Sequence, residues 1–357
     1  MLPAITFGTY EVHFINELPA LDGLFPWANY SSIYVLVDAN TRAYCLPKLL
    51  EVGAFNNATI LEIPAGETYK TIDTCEHVWD AMLTEQADRK ALLINLGGGL
   101  VSDLGGFIAG TYKRGIDFVN IPTTLLAMVD ATVGAKTGIN LKGIKNTLGL
   151  FNEPKAIFIH LPFLSTLDDN ELLSGYAEML KHALLSGQPH WDMLTTIGPK
   201  AVATNPSLIA RSLQVKKGIV EQDPDEQGLR KVLNLGHSIG HAIETECMRM
   251  GQPILHGHAI ALGMVAELWL SVRLLGFPQP EFETVSNYLL GLYGSFLNID
   301  LSLDNLAKLV GNDKKNRSKQ LLFSLLRRVG QPEYDCPVSN EMLLEALVYL
   351  RGETYEV

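Results

Sequence analysis

Cysteine is scarce: Cys45, Cys75, Cys247 and Cys336 are the only four in 357 residues, and no Cys-x-x-Cys pair occurs. That argues against a disulfide framework or a thiolate zinc site and fits a reducing compartment. No uninterrupted apolar run of about 18 residues appears, so no membrane span is expected. The stretch Met1–Thr6 lacks both a basic region and a long apolar one. No signal peptide is therefore expected, and a cytoplasmic location is the default. Positive charge is in deficit, with 28 Lys and Arg against 39 Asp and Glu for a net charge of −11. General nucleic-acid binding, which usually shows a basic face, is disfavoured. Also missing is the Gly-x-Gly-x-x-Gly spacing of the usual dinucleotide fingerprint.

What is present is enough apolar residue, 47% against 19% charged, to bury a core. The length suits two domains. Ser32–Asp38, Ala58–Ile63 and Ala91–Leu96 read as buried strands, and Ile72–Gln86 as a helix between them. Strand and helix in rotation imply an α/β domain with a mostly parallel sheet, whose ligands sit at the carboxyl ends of strands. Asp38 and Gly97-Gly98-Gly99 fall there. From about Ser165 the pattern changes. Asn170–Leu185, Leu208–Glu221, Gly236–Met250, Ala259–Leu275 and Glu341–Tyr349 read as helices. The expectation is an α/β domain over residues 1–160 and an all-helical domain over 161–357.

Four constellations carry chemistry. In Leu96–Asp103, continuing to Phe107, a strand enters a glycine turn and a helix leaves it. The turn lets backbone approach a ligand, and the helix start offers unpaired N–H groups to a pyrophosphate. Pro122-Thr123-Thr124-Leu125, then Asp130–Asn140 and Lys145-Asn146, mix hydroxyls and cations with small residues. Such groups suit a ribose, an amide or a phosphate. Four of the nine histidines lie between residues 237 and 258: His237, His241, His256 and His258. His237 and His241 share a helix face, and Glu178 is a helical carboxylate. Two histidines and a glutamate would give Zn²⁺ three ligands and leave one position for substrate. Spacing alone nominates both His237 and His241. Last, Arg114, Lys136, Lys145, Lys181, Lys216, Arg230 and Lys314 scatter cations near these motifs on an acidic chain, as a pocket for an anion would require.

The same sets, in the same order, resemble the 3-dehydroquinate synthase family of sugar-phosphate cyclases. The resemblance runs through the triple glycine, Asp103-Leu104-Gly105-Gly106-Phe107, Tyr112-Lys113-Arg114-Gly115 and Pro122–Ala127. It continues through Gly175–Lys181, Gly228-Leu229-Arg230, Asn234–Ala242, His256-Gly257 and Asp313-Lys314-Lys315. It implies a Rossmann-like N-terminal domain, a helical C-terminal domain and a homodimer. It implies conversion of 3-deoxy-D-arabino-heptulosonate 7-phosphate, a phosphorylated keto-acid sugar, to 3-dehydroquinate and phosphate in the shikimate pathway. Transient oxidation by NAD, phosphate elimination, reduction and aldol closure make up that reaction. The implied metal ligands, for Zn²⁺ or Co²⁺, are Glu178, His237 and His256; His241 faces the substrate instead. Implied cofactor contacts are Asp38, Asn40, Glu67, Lys70, Gly97, Gly98, Gly99, Asp103, Thr123, Thr124 and Lys145, with Phe163, Leu164, Ser165 and Thr166. Implied substrate contacts are Arg114, Asp130, Lys136, Asn146, Lys181, Lys216, Arg230, Asn234, His241 and Lys314, with Arg114 reaching a neighbouring subunit. Of these, His241, Lys136 and Asp130 are also implied catalytic residues, together with Glu226, which matches a proton acceptor in some relatives.

The chain departs from the family pattern at Ala135, where glycine is usual, at Ala131-Thr132, at Met128 and at His258, where glutamate usually follows His-Gly. Other sugar-phosphate cyclases and metal-dependent polyol dehydrogenases share the glycine and metal motifs. Arg230, Asn234 and His241 together favour the carboxylate-bearing heptulosonate.

Overall fold

The computed structural model describes residues 2–142, 144–297, 299, 301–311 and 321–352. The chain divides into two compact units, Met1–Leu172 with Lys200–Gln214, and Leu173–Pro199 with Val215–Val357.

The first unit is built on a seven-stranded sheet of order β1-β2-β9-β6-β5-β3-β4. Its strands are β1 (Ile5–Phe7), β2 (Tyr10–Phe14), β3 (Ile33–Asp38), β4 (Thr59–Ile63), β5 (Leu92–Gly97), β6 (Asp117–Pro122) and β9 (Ala156–Ile159). Only β1 and β2 pair antiparallel; β2 with β9, β9 with β6, β6 with β5, and β5 with β3 and β4 beyond it run parallel. Alternation along the strands sends Val35, Val37, Leu92, Ile94 and Leu96 into one apolar cluster. Tyr34, Leu36 and Leu93 enter the cluster on the other face, so both faces are covered. A separate antiparallel pair, β7 (Lys136–Leu141) and β8 (Ile144–Phe151), stands outside this sheet.

Three helices place residues at the carboxyl edge: α1 (Ala39–Tyr44), α2 (Ile72–Thr84) and α3 (Gly99–Thr111). Helix α3 lies close on the sheet because it carries Gly105. A Cβ there would stand 1.9 Å from Oδ1 of Asn95 on β5. The chain leaves β3 toward β4 on one side and returns to β5 on the other, so the strand order reverses between β3 and β5. That reversal is where open parallel sheets bind ligands. Asp38 ends β3 and Gly97 ends β5.

The second unit takes most of α4 (Asp169–Ser186), then α5 (Gln188–Ile197), the end of α6 (Pro206–Val220), α7 (His237–Arg249), α8 (His256–Leu275), α9 (Gln279–Tyr293), α10 (Leu303–Gly311) and α11 (Asn340–Leu350). The sequence led to the expectation of an all-helical unit; it is mostly helical, but β10 (Leu321–Arg328) and β11 (Gln331–Val338) form an antiparallel hairpin. The apolar run Leu321–Leu326 is compatible with either element by periodicity, and the turn at Gly330, φ +87°, closes it as a hairpin. Helix α8 is long and apolar enough to cross a membrane, with a mean hydropathy of 1.4 over its most apolar 18 residues. However, 72% of that window is buried, and α7, α9, α11 and β10 pack around it. It is the central core helix of its unit.

Candidate active-site residues

In the first unit the carboxyl edge gathers residues far apart in sequence. Asp38 caps α1, its carboxylate accepting from the Thr41 N–H at 2.7 Å. Gly98 is the N-cap of α3 and has no side chain to offer, so the first N–H groups of that helix are left for a ligand. The Thr123 N–H donates to the Gly97 carbonyl, and the Ala127 N–H to the Thr124 hydroxyl. These bonds fold the Pro122-Thr123-Thr124 segment against the glycine turn. Ser165 and Thr166 lie on the short helical turn Leu161–Thr166 that follows β9, and both hydroxyls bond local carbonyls. Asn40 is exposed beside Asp38.

Lys70 is buried, and its ammonium donates to Asp103 at 2.6 Å and to Asn146 at 2.7 Å. Glu67 stands 3.9 Å from both the Lys70 and the Lys145 ammonium groups. Burial pushes the Asp103 carboxyl up, opposed by the Lys70 cation. Asn140, which the motif reading did not single out, ties the group together. Its amide donates to Glu67 at 3.0 Å and its carbonyl accepts from the Asn146 N–H at 2.9 Å. Asp130 sits on a wide π-type turn, Ala127–Ala131, and adds negative charge near Asp103. Lys136 is exposed at the start of β7. Arg114 is exposed just beyond the far end of α3, about 20 Å from the glycine turn by the helix rise.

In the second unit the metal candidates converge. Glu178 is fully buried on α4, and its Oε1 is 3.6 Å from His237 Nε2 and 3.6 Å from His256 Nε2. Lys181, one turn on, pairs with the other oxygen, Oε2. Ligand nitrogens of His237, His241 and His256 lie within 4.8 Å of one another. A tetrahedral zinc site with bonds of about 2.1 Å has ligand–ligand edges of about 3.4 Å, so Glu178, His237 and His256 fit a metal. His241, whose ring centre is 5.2 Å from that of His237 and 5.6 Å from that of His256, borders the same space.

The protonation pattern follows from the surroundings. Burial, with the Lys181 cation, pulls His237 well below the usual imidazole range, so it is neutral and has a lone pair to give. Burial acts the same way on His256, but the Glu244 carboxylate and then Glu178 outweigh it and hold that imidazole up at about 9. His237 Nδ1 is 3.2 Å from the Leu235 carbonyl, which can only accept. Its Nδ1 therefore carries the hydrogen and its Nε2 faces Glu178.

Backbone contacts fix this geometry. Gly257 follows His256, and a Cβ there would stand 1.9 Å from the Ser174 carbonyl; the Ser174 hydroxyl accepts its N–H at 3.0 Å. Ser174 lies one turn before Glu178 on α4, so this clamp brings His256 to Glu178. Gly236, φ +81°, starts α7, and a Cβ at Gly263 of α8 would lie 2.0 Å from its carbonyl. Glu267, fully buried on α8, accepts the N–H groups of Gly236 at 2.6 Å and Ile239 at 3.2 Å. Helix α7, whose first residue is His237, is thus capped by a carboxylate from its neighbour.

Lys181, Lys216 and Arg230, among the described residues of this unit, are buried cations, at 1%, 6% and 3% exposure. Arg230 donates to the Pro224 carbonyl at 2.6 Å, and Asp223 accepts its N–H at 2.9 Å. The Asn234 amide donates to Glu226 at 3.0 Å, and Glu226 occupies a left-handed backbone conformation, φ +56°. Strain of that kind is concentrated at functional sites. His258 stands apart from the three-histidine cluster: its ring stacks on Phe296 with centres 3.9 Å apart. Lys314 lies outside the described residues.

A parallel-sheet unit with a glycine turn at its strand-order reversal, and a helical unit with a convergent Glu/His set, define a two-unit dinucleotide- and metal-type fold. Two solved cyclases share it. A 2-deoxy-scyllo-inosose synthase, complexed with carbaglucose-6-phosphate, NAD⁺ and Co²⁺, matches 99% of this chain and 100% of its own at 23% identity and a TM-score of 0.86. A 2-epi-5-epi-valiolone synthase from Streptomyces hygroscopicus subsp. jinggangensis, with NAD⁺ and Zn²⁺, matches 99% of each chain at 26% identity and a TM-score of 0.85. Residues 60–174 match the family model for the 3-dehydroquinate synthase N-terminal region, and residues 175–316 that for its C-terminal region. The 3-dehydroquinate synthase of Parabacteroides distasonis is 44% identical over 324 residues, 90% of this chain and 92% of its own. The chain belongs to the 3-dehydroquinate synthase family.

Proposed function

We propose that this chain converts 3-deoxy-D-arabino-heptulosonate 7-phosphate to 3-dehydroquinate and phosphate, the cyclising step of the shikimate pathway. The observation that carries it is the placement of three buried cations, Lys181, Lys216 and Arg230, in the same unit as the Glu178, His237 and His256 set. A substrate with a phosphate at one end and a carboxylate at the other calls for such charge.

Glu178, His237 and His256 would hold the divalent metal, Zn²⁺ or Co²⁺. The Gly97–Gly99 turn and the start of α3, with Asp38, Asn40, Thr123, Thr124 and Lys145, would hold NAD. When bound, the metal supplies Lewis-acid polarisation of a hydroxyl and the dinucleotide a reversible hydride acceptor. The protein's own groups bind and orient. Arg230, its guanidinium pinned by the Pro224 carbonyl and its backbone by Asp223, presents a planar fork to the carboxylate, with Lys216 and Asn234. In the second unit Lys181 and His241, and in the first Lys136 and Asn146, are assigned to the phosphate. Lys314 is assigned there by family resemblance. Glu226, hydrogen-bonded to Asn234, is assigned as a proton acceptor, and Asp130 as a substrate contact.

A homodimer belongs to the same proposal. Arg114 lies beyond the far end of α3, too far to serve its own glycine turn, and exposed Ile144, Leu148 and Leu150 share one face of β8. Four buried free thiols support a cytoplasmic location.

Steady-state kinetics of Arg230→Ala test the assignment. Loss of charge-assisted bonds worth about 1.5–3 kcal/mol should raise KM about 10–100-fold and change kcat far less. Unchanged KM and kcat would remove Arg230 from the carboxylate site.

A further inference from the structure

Helix α7 carries His237, His241 and Glu244 at i, i+4 and i+7, so all three face the same way. The roles assigned above use the two histidines and leave Glu244 without one. Glu244 is 4% exposed, and its Oε2 lies 3.3 Å from His256 Nδ1, on the first residue of the neighbouring helix. A carboxylate can only accept, so His256 Nδ1 carries the hydrogen. In the neutral ring, the form that can ligate a metal, the lone pair is thereby confined to Nε2, the atom 3.6 Å from Glu178 Oε1. His237 reaches the same tautomer through a neutral backbone carbonyl, that of Leu235. The two imidazoles are therefore backed differently, one by a dipole and one by an anion.

We propose that Glu244 is a positioning residue for the metal: by offering an acceptor at this reach it locks His256 in the Nδ1–H tautomer, with Nε2 aimed at the ion. This rests on the metal-site reading given above. Without an acceptor in reach, the His256 ring can flip or exchange tautomers and present N–H where a lone pair is needed. A hydrogen-bond acceptor behind a ligating histidine fixes its orientation in this way, and losing such a partner typically costs about 10–100-fold in metal affinity.

Two conservative variants separate reach from charge. E244D keeps the charge but withdraws the acceptor by one methylene; E244Q keeps an acceptor at the same reach but loses the charge. Zn²⁺ and Co²⁺ affinities are measured by chelator competition on the full chain, without NAD or substrate, beside the visible spectrum of the Co²⁺ form and the melting curve of the metal-free protein. E244D is expected to lose affinity by at least about tenfold and to shift the Co²⁺ bands, while E244Q stays within about threefold of the starting protein. Both metal-free variants are expected to melt like the parent. An E244D protein with unaltered affinity and spectrum, or an E244Q protein that loses as much affinity as E244D, overturns the proposal. H256A serves as the control. Retained metal in H256A would bring down the metal-site reading itself, whereas metal loss in H256A with none in E244D rejects only the role of Glu244.

Discussion

Ala135 adopts φ +63° immediately after Gly134 at φ +96°, in the turn that leads into β7. Its carbonyl accepts the Asn152 N–H at 2.8 Å, so the turn cannot relax without losing that bond. A Cβ in the left-handed region is strained. Ala135→Gly is expected to stabilise the protein by about 1 kcal/mol, read as a shift of the urea midpoint with an unchanged slope. A lower midpoint would mean that the extra freedom of glycine in the unfolded chain outweighs the relief. At this scale the sequence was informative where residue type and spacing speak together. The close histidines, the triple glycine and the Pro-Thr-Thr segment fall where the structure gathers polar groups. Asn140 and Glu244 went unassigned although both lie inside the motifs: Asn140 next to the lysine turn, Glu244 seven residues after His237. Each acts by hydrogen bonding to a residue that the sequence reading did name, and no spacing rule reports that. His258 shows the converse. An imidazole two residues from His256 invites a ligand role by proximity in sequence, yet helix geometry turns it onto Phe296.

Elements were legible to the extent that their patterns were long and regular. β3, β4, β5, α2 and the helices α4, α6, α7, α8 and α11 fall within a few residues of their expected bounds. β1, β2, β6, β7, β8, β9, the β10–β11 hairpin and the helices α5, α9 and α10 were not foreseen; short apolar runs do not distinguish strand from turn or helix. Least visible was what holds one element against another. The cap that Glu267 provides to α7 joins residues 31 and 28 positions apart on different helices. Removing it leaves the N–H groups of Gly236 and Ile239 buried without that acceptor. Glu267→Ala is therefore expected to lower stability by about 2–4 kcal/mol in urea denaturation. A loss below about 0.5 kcal/mol would show that water or another group takes over the cap.

For the whole molecule, the two units hold different chemistry. The first presents the glycine turn and the Lys70, Asp103, Asn146 and Glu67 group at the carboxyl edge of its sheet. The second presents the Glu178, His237 and His256 set with buried cations. A dehydrogenase with the same two units would release its reduced dinucleotide, whereas the synthase regenerates it in each turnover. The most direct test is phosphate release from 3-deoxy-D-arabino-heptulosonate 7-phosphate with a catalytic amount of NAD⁺, before and after EDTA, while following NADH absorbance. A 3-dehydroquinate synthase is expected to give rapid phosphate release and 3-dehydroquinate formation, no lasting NADH, loss of activity with EDTA and recovery with Zn²⁺ or Co²⁺. NADH accumulating in step with substrate loss, or phosphate release indifferent to EDTA, would contradict that assignment.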